Sequence, residues 1–95
     1  MSNQADNNIS IAIPNTVVPE YCNMLNVSFN KEEFVLDFIK VFPPQAVMAS
    51  RIITSPGHIK RISQLLNNVV KQYEDQNGNI DPSEQPSSIG FQDRK

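Results

Sequence analysis

Glu33 to Phe42, Glu-Phe-Val-Leu-Asp-Phe-Ile-Lys-Val-Phe, is the most apolar ten-residue stretch of the chain. Side chains of an extended strand alternate between two sides. Phe34, Leu36 and Phe38 therefore fall on one face, and Val35, Ile39 and Val41 on the other. A strand that is apolar on both faces has to be covered on both. The stretch predicts a central strand, and the rest of the chain is read around it.

Ile9-Ser-Ile-Ala-Ile13 alternates apolar and small residues before Pro14 and predicts a short edge strand. Tyr21 to Phe29 predicts a second strand, with Tyr21, Leu25, Val27 and Phe29 on one face. Asn30-Lys-Glu32 is short and polar. A connection that short closes an antiparallel hairpin and cannot make a parallel crossover. Pro43-Pro44-Gln45 turns the chain again, and Ala46 to Thr54 predicts a further strand. Ser55-Pro56 is a helix start, because the serine oxygen can accept a first-turn N–H and proline suits the first helical position. Ile59, Ile62, Leu66, Val69 and Tyr73 follow at spacings of three and four, widened by Leu65 and Val70. The helix is expected to end at Asn77-Gly78, where glycine suits a left-handed cap.

The pattern predicts an α+β fold: an antiparallel β-meander of three to four strands followed by one C-terminal amphipathic helix packed on the sheet. Residues 9–78 form the single β-β-β-β-α domain of this reading. Residues 1–8 and 79–95 are polar or aperiodic and are expected to be disordered tails, with Ile89 and Phe91 as lone apolar residues in the second. The one helix covers one sheet face. The other still carries Val35, Ile39 and Val41, with Met48 and Ile52 as expected neighbours. Leaving such side chains in water forfeits about 1.5–3 kcal/mol each, against a net stability of only about 5–15 kcal/mol. These five residues are accordingly the expected interface of a homodimer, joined sheet to sheet or through exchanged helices. A β-bulge would exchange faces in this parity reading.

Length and composition narrow the picture. Ninety-five residues allow one domain, and a folded part of about 65–70 residues is near the size at which one core is marginal. A net charge of −2 with mixed signs leaves no basic stripe of the kind nucleic acid needs, so it is not an expected partner. Cys22 is the single cysteine and His58 the single histidine, which excludes an internal disulfide and a structural zinc site within one chain. The N-terminus lacks the pattern of a signal peptide, and no apolar run approaches the roughly 18 residues of a membrane span. A cytoplasmic protein without a membrane partner is the resulting expectation.

Candidate chemistry is sparse. His58 has Arg61 and Ile62 three and four residues on, so no metal ligand lies one helical turn away. Asp37 lies within the most apolar strand and Arg51 on the next, and the two are expected to form a cross-strand ion pair rather than a site acid. Cys22 has no adjoining base to activate it. Lys60, Arg61 and Lys71 form a small basic set that reads as a solvated helix face. No phosphate-binding loop, dinucleotide fingerprint, nucleophile–base set or glycosidase-like acid pair is present. The sequence therefore predicts no enzyme, and assigns no catalytic, cofactor-binding or metal residue.

Several of these positions carry a resemblance. Glu33-Phe-Val-Leu-Asp-Phe38, Pro43, Ser50-Arg-Ile-Ile53, Pro56-x-His58-x-Lys60-Arg61, Asn68 and Tyr73-Glu74 resemble the DUF3467 family of small bacterial proteins of unknown function. The Ile9–Ile13 stretch and Tyr21-x-Asn23 look like its Bacteroides-type members. The resemblance spans residues 9 to 80. Family members usually read Pro-Gly after the central strand and carry an acidic residue after the helix-starting proline, where this chain has Pro43-Pro44 and Pro56-Gly57. The family implies a free-standing bacterial domain and brings no activity, cofactor or catalytic residue. The strand-then-helix order also looks like COMM domains and, more loosely, SecB-type chaperones, whose sheets associate. The expected function is a non-enzymatic homodimeric protein-interaction module, with a second protein as a further partner. The alternatives are a SecB-like holdase for apolar segments and a nucleic-acid-binding accessory protein acting through Lys60, Arg61 and Lys71.

Overall fold

Two tight turns make the sheet. In the computed structural model, which describes residues 8–84, strand β1 (Met24–Phe29) runs into strand β2 (Phe34–Phe42) through a polar loop. The Asn30 side-chain oxygen accepts the backbone N–H groups of Glu32 and Glu33 at 2.7 and 2.9 Å. The Asn30 N–H in turn donates to the Glu33 carbonyl at 3.0 Å. Asparagine at this position satisfies donors that a tight loop would otherwise leave without partners. Phe29 and Phe34, paired across the loop, stack at 5.2 Å between ring centroids. Pro43 and Pro44, joined by a cis peptide bond, are the whole connection from β2 to strand β3 (Gln45–Thr54). The sheet is antiparallel in the order β1-β2-β3, and helix α1 (Pro56–Asn77) follows.

Residues directly opposite across an antiparallel pair share a face. Met24, Asn26 and Ser28 stand opposite Ile39, Asp37 and Val35, while Leu25, Val27 and Phe29 stand opposite Phe38, Leu36 and Phe34. Between β2 and β3 the register shifts: Phe38 pairs with Ser50, but Ile39 pairs with Met48, leaving Ala49 as the extra residue. This bulge exchanges the faces of β3 on either side of it. Met48 and Ala46 thus join Val35, Asp37, Ile39 and Val41, as do Arg51 and Ile53, whereas Ile52 pairs with Leu36 on the opposite face. The five-residue set expected from parity is therefore divided: Val35, Ile39, Val41 and Met48 share one face, and Ile52 lies on the other.

Burial concentrates on the central strand. Leu36, Ile39 and Val41 are the buried apolar residues, and Asp37 is buried with them. The Asn23 side chain extends the ladder by one rung before β1 begins. Its amide donates to the Val41 carbonyl at 3.0 Å, and its oxygen accepts the Val41 N–H at 2.8 Å. The expected strand from Tyr21 accordingly begins at Met24. Ile9–Ile13 is not a strand either. It has no regular secondary structure and is exposed, with Ile9, Ile11 and Ile13 between 78 and 85 % accessible, and a turn follows in which the Val17 N–H donates to the Pro14 carbonyl. Alternation in sequence favours extended backbone but does not supply the neighbouring strand that a ladder requires. The sheet has three strands among the described residues.

The helix corrects a further expectation. It begins and ends where the sequence places it. The Ser55 hydroxyl accepts the His58 N–H at 3.1 Å, Pro56 opens the first turn, and Gly78, at φ +92°, donates its N–H to the Glu74 carbonyl. It does not lie back across its own sheet. No helical residue is buried; Ile59 and Ile62 are half-buried, while Leu65, Leu66, Val69, Val70 and Tyr73 are exposed. The close contacts between elements are those of neighbouring strands. The cause is local: one residue, Ser55, separates β3 from α1, and it is already committed to capping the helix. Most of the expected tails, residues 1–7 and 85–95 with Ile89 and Phe91, lie outside the described residues. Residues 79–84 have no regular secondary structure.

Candidate functional site

The strand register places Asp37 and Arg51 directly opposite each other at the middle of the sheet. The Arg51 Nε donates to Asp37 Oδ1 at 2.7 Å and Nη2 to Oδ2 at 3.2 Å. Both carboxylate oxygens are thus engaged by one guanidinium, the two-point geometry that makes arginine–carboxylate pairs directional. The two partners differ in access to water. Asp37 is 3 % exposed, whereas the Arg51 side chain is 47 % exposed. The hydrogen bond to Asp37, followed by the attraction of its charge, raises the Arg51 pKa above the ordinary arginine value. On β1 the residue opposite Asp37 is Asn26, so Asn26, Asp37 and Arg51 form a polar row across one sheet face. A carboxylate held this way is not a free base. It fixes the register of β2 against β3, beside an Arg51 side chain that stays about half exposed.

The remaining candidates are scattered. His58 is exposed in the first helical turn, and its backbone rather than its ring is engaged by Ser55. Cys22 is an exposed free thiol. Lys60, Arg61 and Lys71 are exposed on α1. No group of three or more His, Cys, Asp or Glu side chains capable of holding a metal ion occurs among the described residues. No helix among them is long and apolar enough to cross a membrane.

What the chain presents instead is apolar surface: besides the exposed residues of the Ile9–Val18 stretch and Met48 and Ile53 on the Asp37 face, it lies on two regular surfaces. The sheet face opposite the Asp37–Arg51 pair carries Leu25, Val27, Phe29, Phe42, Val47 and Ile52, all exposed. The second surface is the α1 stripe. Among the described residues twenty large apolar side chains are exposed and three are buried, a balance that a self-sufficient core does not have. Of the expected interface residues, Ile39 and Val41 are already buried within the chain, Val35 is half-buried, and Met48 and Ile52 are exposed on opposite faces. Three features escaped the residue pattern. The Asn23–Val41 rung had a signal in the Tyr21-x-Asn23 resemblance, but not a mechanism. The ion pair of Lys40 with Glu20, at 2.7 Å, joins residues twenty positions apart and has no local signature. Ala49 carries no mark of a bulge, since nothing about an alanine in a strand announces one.

The family model described as "Protein of unknown function (DUF3467)" matches residues 1–82. No curated protein and no solved structure matches the chain.

Proposed function

The chain belongs to the DUF3467 family, whose function is unknown, and from that premise we propose that it is a non-enzymatic protein-interaction module that works as a homodimer. One observation carries this reading: the helix, complete and capped at both ends, covers only Ile59 and Ile62 in part and leaves the rest of its apolar stripe, Leu65 to Tyr73, exposed. An amphipathic helix of that kind gains its stability in proteins from packing its apolar face. A second surface of like chemistry is available on the same chain, and two copies supply each other with what each lacks. The Asp37–Arg51 pair in this reading is structural. It holds the sheet in register and leaves no acid, base or nucleophile poised for a reaction. The exposed, unpaired Cys22 suits a reducing compartment, and we place the protein in the cytoplasm.

Light scattering behind size exclusion, across a dilution series, tests the proposal. The expected mass is twice the 10.7 kDa of one chain, with little binding of a dye that reports exposed apolar surface. A monomer at all concentrations overturns it. A stable assembly that still binds the dye strongly favours the second reading, a holdase for apolar segments, which the amount of exposed apolar surface also supports. Binding to nucleic acid through Lys60, Arg61 and Lys71 has three exposed bases behind it and a net charge of −2 against it.

A further inference from the structure

Resting on the homodimer reading, we infer that the two copies exchange helices: α1 of each chain seats its apolar stripe on the sheet face of the other that carries Leu25, Val27, Phe29 and Ile52.

Three observations converge on this arrangement. The two surfaces are the exposed apolar faces of regular elements in the same chain, and neither covers the other. The joint leaves no loop to carry the helix back across its own sheet. Thr54 ends β3, Pro56 begins α1, and the single residue between them is held by its side-chain bond to the His58 N–H and by its carbonyl, which accepts the Ile59 N–H at 3.0 Å. The dimensions also agree. A helix of 22 residues spans about 33 Å at 1.5 Å per residue. Strands β2 and β3, of 9 and 10 residues, span about 30–34 Å.

The choice of sheet face follows from chemistry. The face with Asp37 has the polar row Asn26–Asp37–Arg51 through its middle and already buries Ile39 and Val41. The opposite face lacks a charge among the pairs from Leu25–Phe38 to Phe29–Phe34, its charge Lys40 lying towards the far end in an ion pair with Glu20, and it leaves Phe29 72 % exposed. On the helix, Leu65, Leu66, Val69 and Tyr73 are each about half exposed or more. Together these eight side chains leave roughly 750 Å² uncovered per chain, and about twice that in two copies, which falls within the ~1,200–2,000 Å² of a stable interface. A sheet-to-sheet dimer would cover one of the two surfaces and leave both helices bare.

The test is a complementation between two full-length variants. One carries Leu66→Lys and Val69→Lys on the helix; the other carries Val27→Glu and Ile52→Glu on the sheet. Helix exchange predicts that each variant alone loses self-association by at least ~100-fold, because both of its helix–sheet contacts are spoiled. The two refolded together form a one-to-one heterodimer, in which one contact is native and the other pairs lysines with glutamates. Neither sheet-on-sheet nor helix-on-helix pairing predicts that rescue, since each would still set a charged surface against an apolar one. A wild-type dimer whose variants are not rescued, or whose helix variant still dimerises, overturns the exchange and leaves the homodimer standing. A wild-type monomer overturns both. Thiol labelling of a Cys22→Ser, Val69→Cys chain reads the same contact without charges. Labelling that slows at least ~10-fold as the chain is concentrated from monomer to dimer supports the exchange, and labelling at the free-thiol rate in the dimer overturns it.

Discussion

Strand β2 and helix α1 are both rich in apolar residues, and the chain treats them oppositely. β2 has a neighbour on each side, and Leu36, Asp37, Ile39 and Val41 are all buried. α1 has the better caps, a serine at one end and a glycine at the other, yet no residue of it is buried beyond the half-burial of Ile59 and Ile62. The difference is one of connection. β2 meets its neighbours through loops of four and two residues, which place the partners beside it as soon as the turns form. α1 leaves the sheet through one capped residue, and its apolar stripe ends up beyond the reach of its own chain. A chain that completes its sheet locally and leaves a finished helix uncovered divides its stability into two parts. One part is independent of concentration and the other depends on a second molecule.

Truncating one side chain in each region separates those parts most sharply. Ile39→Ala removes a buried side chain of β2, and the expected loss is about 2–5 kcal/mol in denaturant unfolding, at every protein concentration. Leu66→Ala removes one that is 56 % exposed in the single chain. At concentrations where the chain is monomeric its expected cost is within about 0.5 kcal/mol. At concentrations where the wild type is dimeric the cost rises by about 1 kcal/mol or more. A cost for Leu66→Ala that does not vary with concentration would erase the distinction between the two regions.

The Asp37–Arg51 pair sharpens the account of β2 itself. Its asymmetry sets the order of effects. Arg51→Met leaves a buried carboxylate without its guanidinium, whereas Asp37→Ala leaves an arginine that reaches water over half of its side chain. The first variant is therefore expected to melt several degrees lower than the second, and the pair Asp37→Leu with Arg51→Met to recover most of the loss. Equal losses from the two single variants would mean that Asp37 has access to water. Arg51 adds no pH dependence of its own at neutral pH. Its raised pKa gives stability that is fully present below the ordinary arginine value and lost only as the pH climbs through the raised one.

How much of this could be read in the residues follows the same division between local and distant causes. The helix ends were legible because Ser55, Pro56 and Gly78 act on backbone groups within one turn of themselves. The hairpins were legible because Asn30 and Pro43-Pro44 leave too few residues for any other connection. The face of Ile52 was not, because it depends on one unpaired alanine, and inserting a residue into a period of two inverts everything on one side of it. Ile9–Ile13 shows the complementary error. Its alternation is that of a strand, but strand formation is a property of two chain segments, and only one of them is visible in a local pattern. The position of α1 fell between these cases. Its amphipathic period says that something covers the stripe, and says nothing of whether that cover belongs to the same molecule.

A smaller effect than those of β2 tests where β1 gains its first hold on it. Asn23 precedes β1, yet its amide makes two hydrogen bonds to the Val41 backbone, and its own N–H donates to the Ile39 carbonyl at 3.1 Å. A side chain here does what a further strand residue would do. It satisfies the Val41 N–H and carbonyl at the point where the backbone of the incoming chain has not yet joined the ladder. Asn23→Ala removes the side-chain bonds and keeps the backbone one. The expected cost is about 1 kcal/mol, lower than for either charge-pair variant or for Ile39→Ala. Amide exchange distinguishes this local loss from a global one. The Val41 N–H is expected to exchange at least ~30-fold faster in the variant, while the amides of Leu36 and Asp37, deeper in β2, accelerate only by the roughly five-fold that about 1 kcal/mol of global stability gives. Uniform acceleration along β2 would show instead that the rung belongs to the cooperative core, and that the boundary between what the chain secures alone and what it leaves open lies before Asn23.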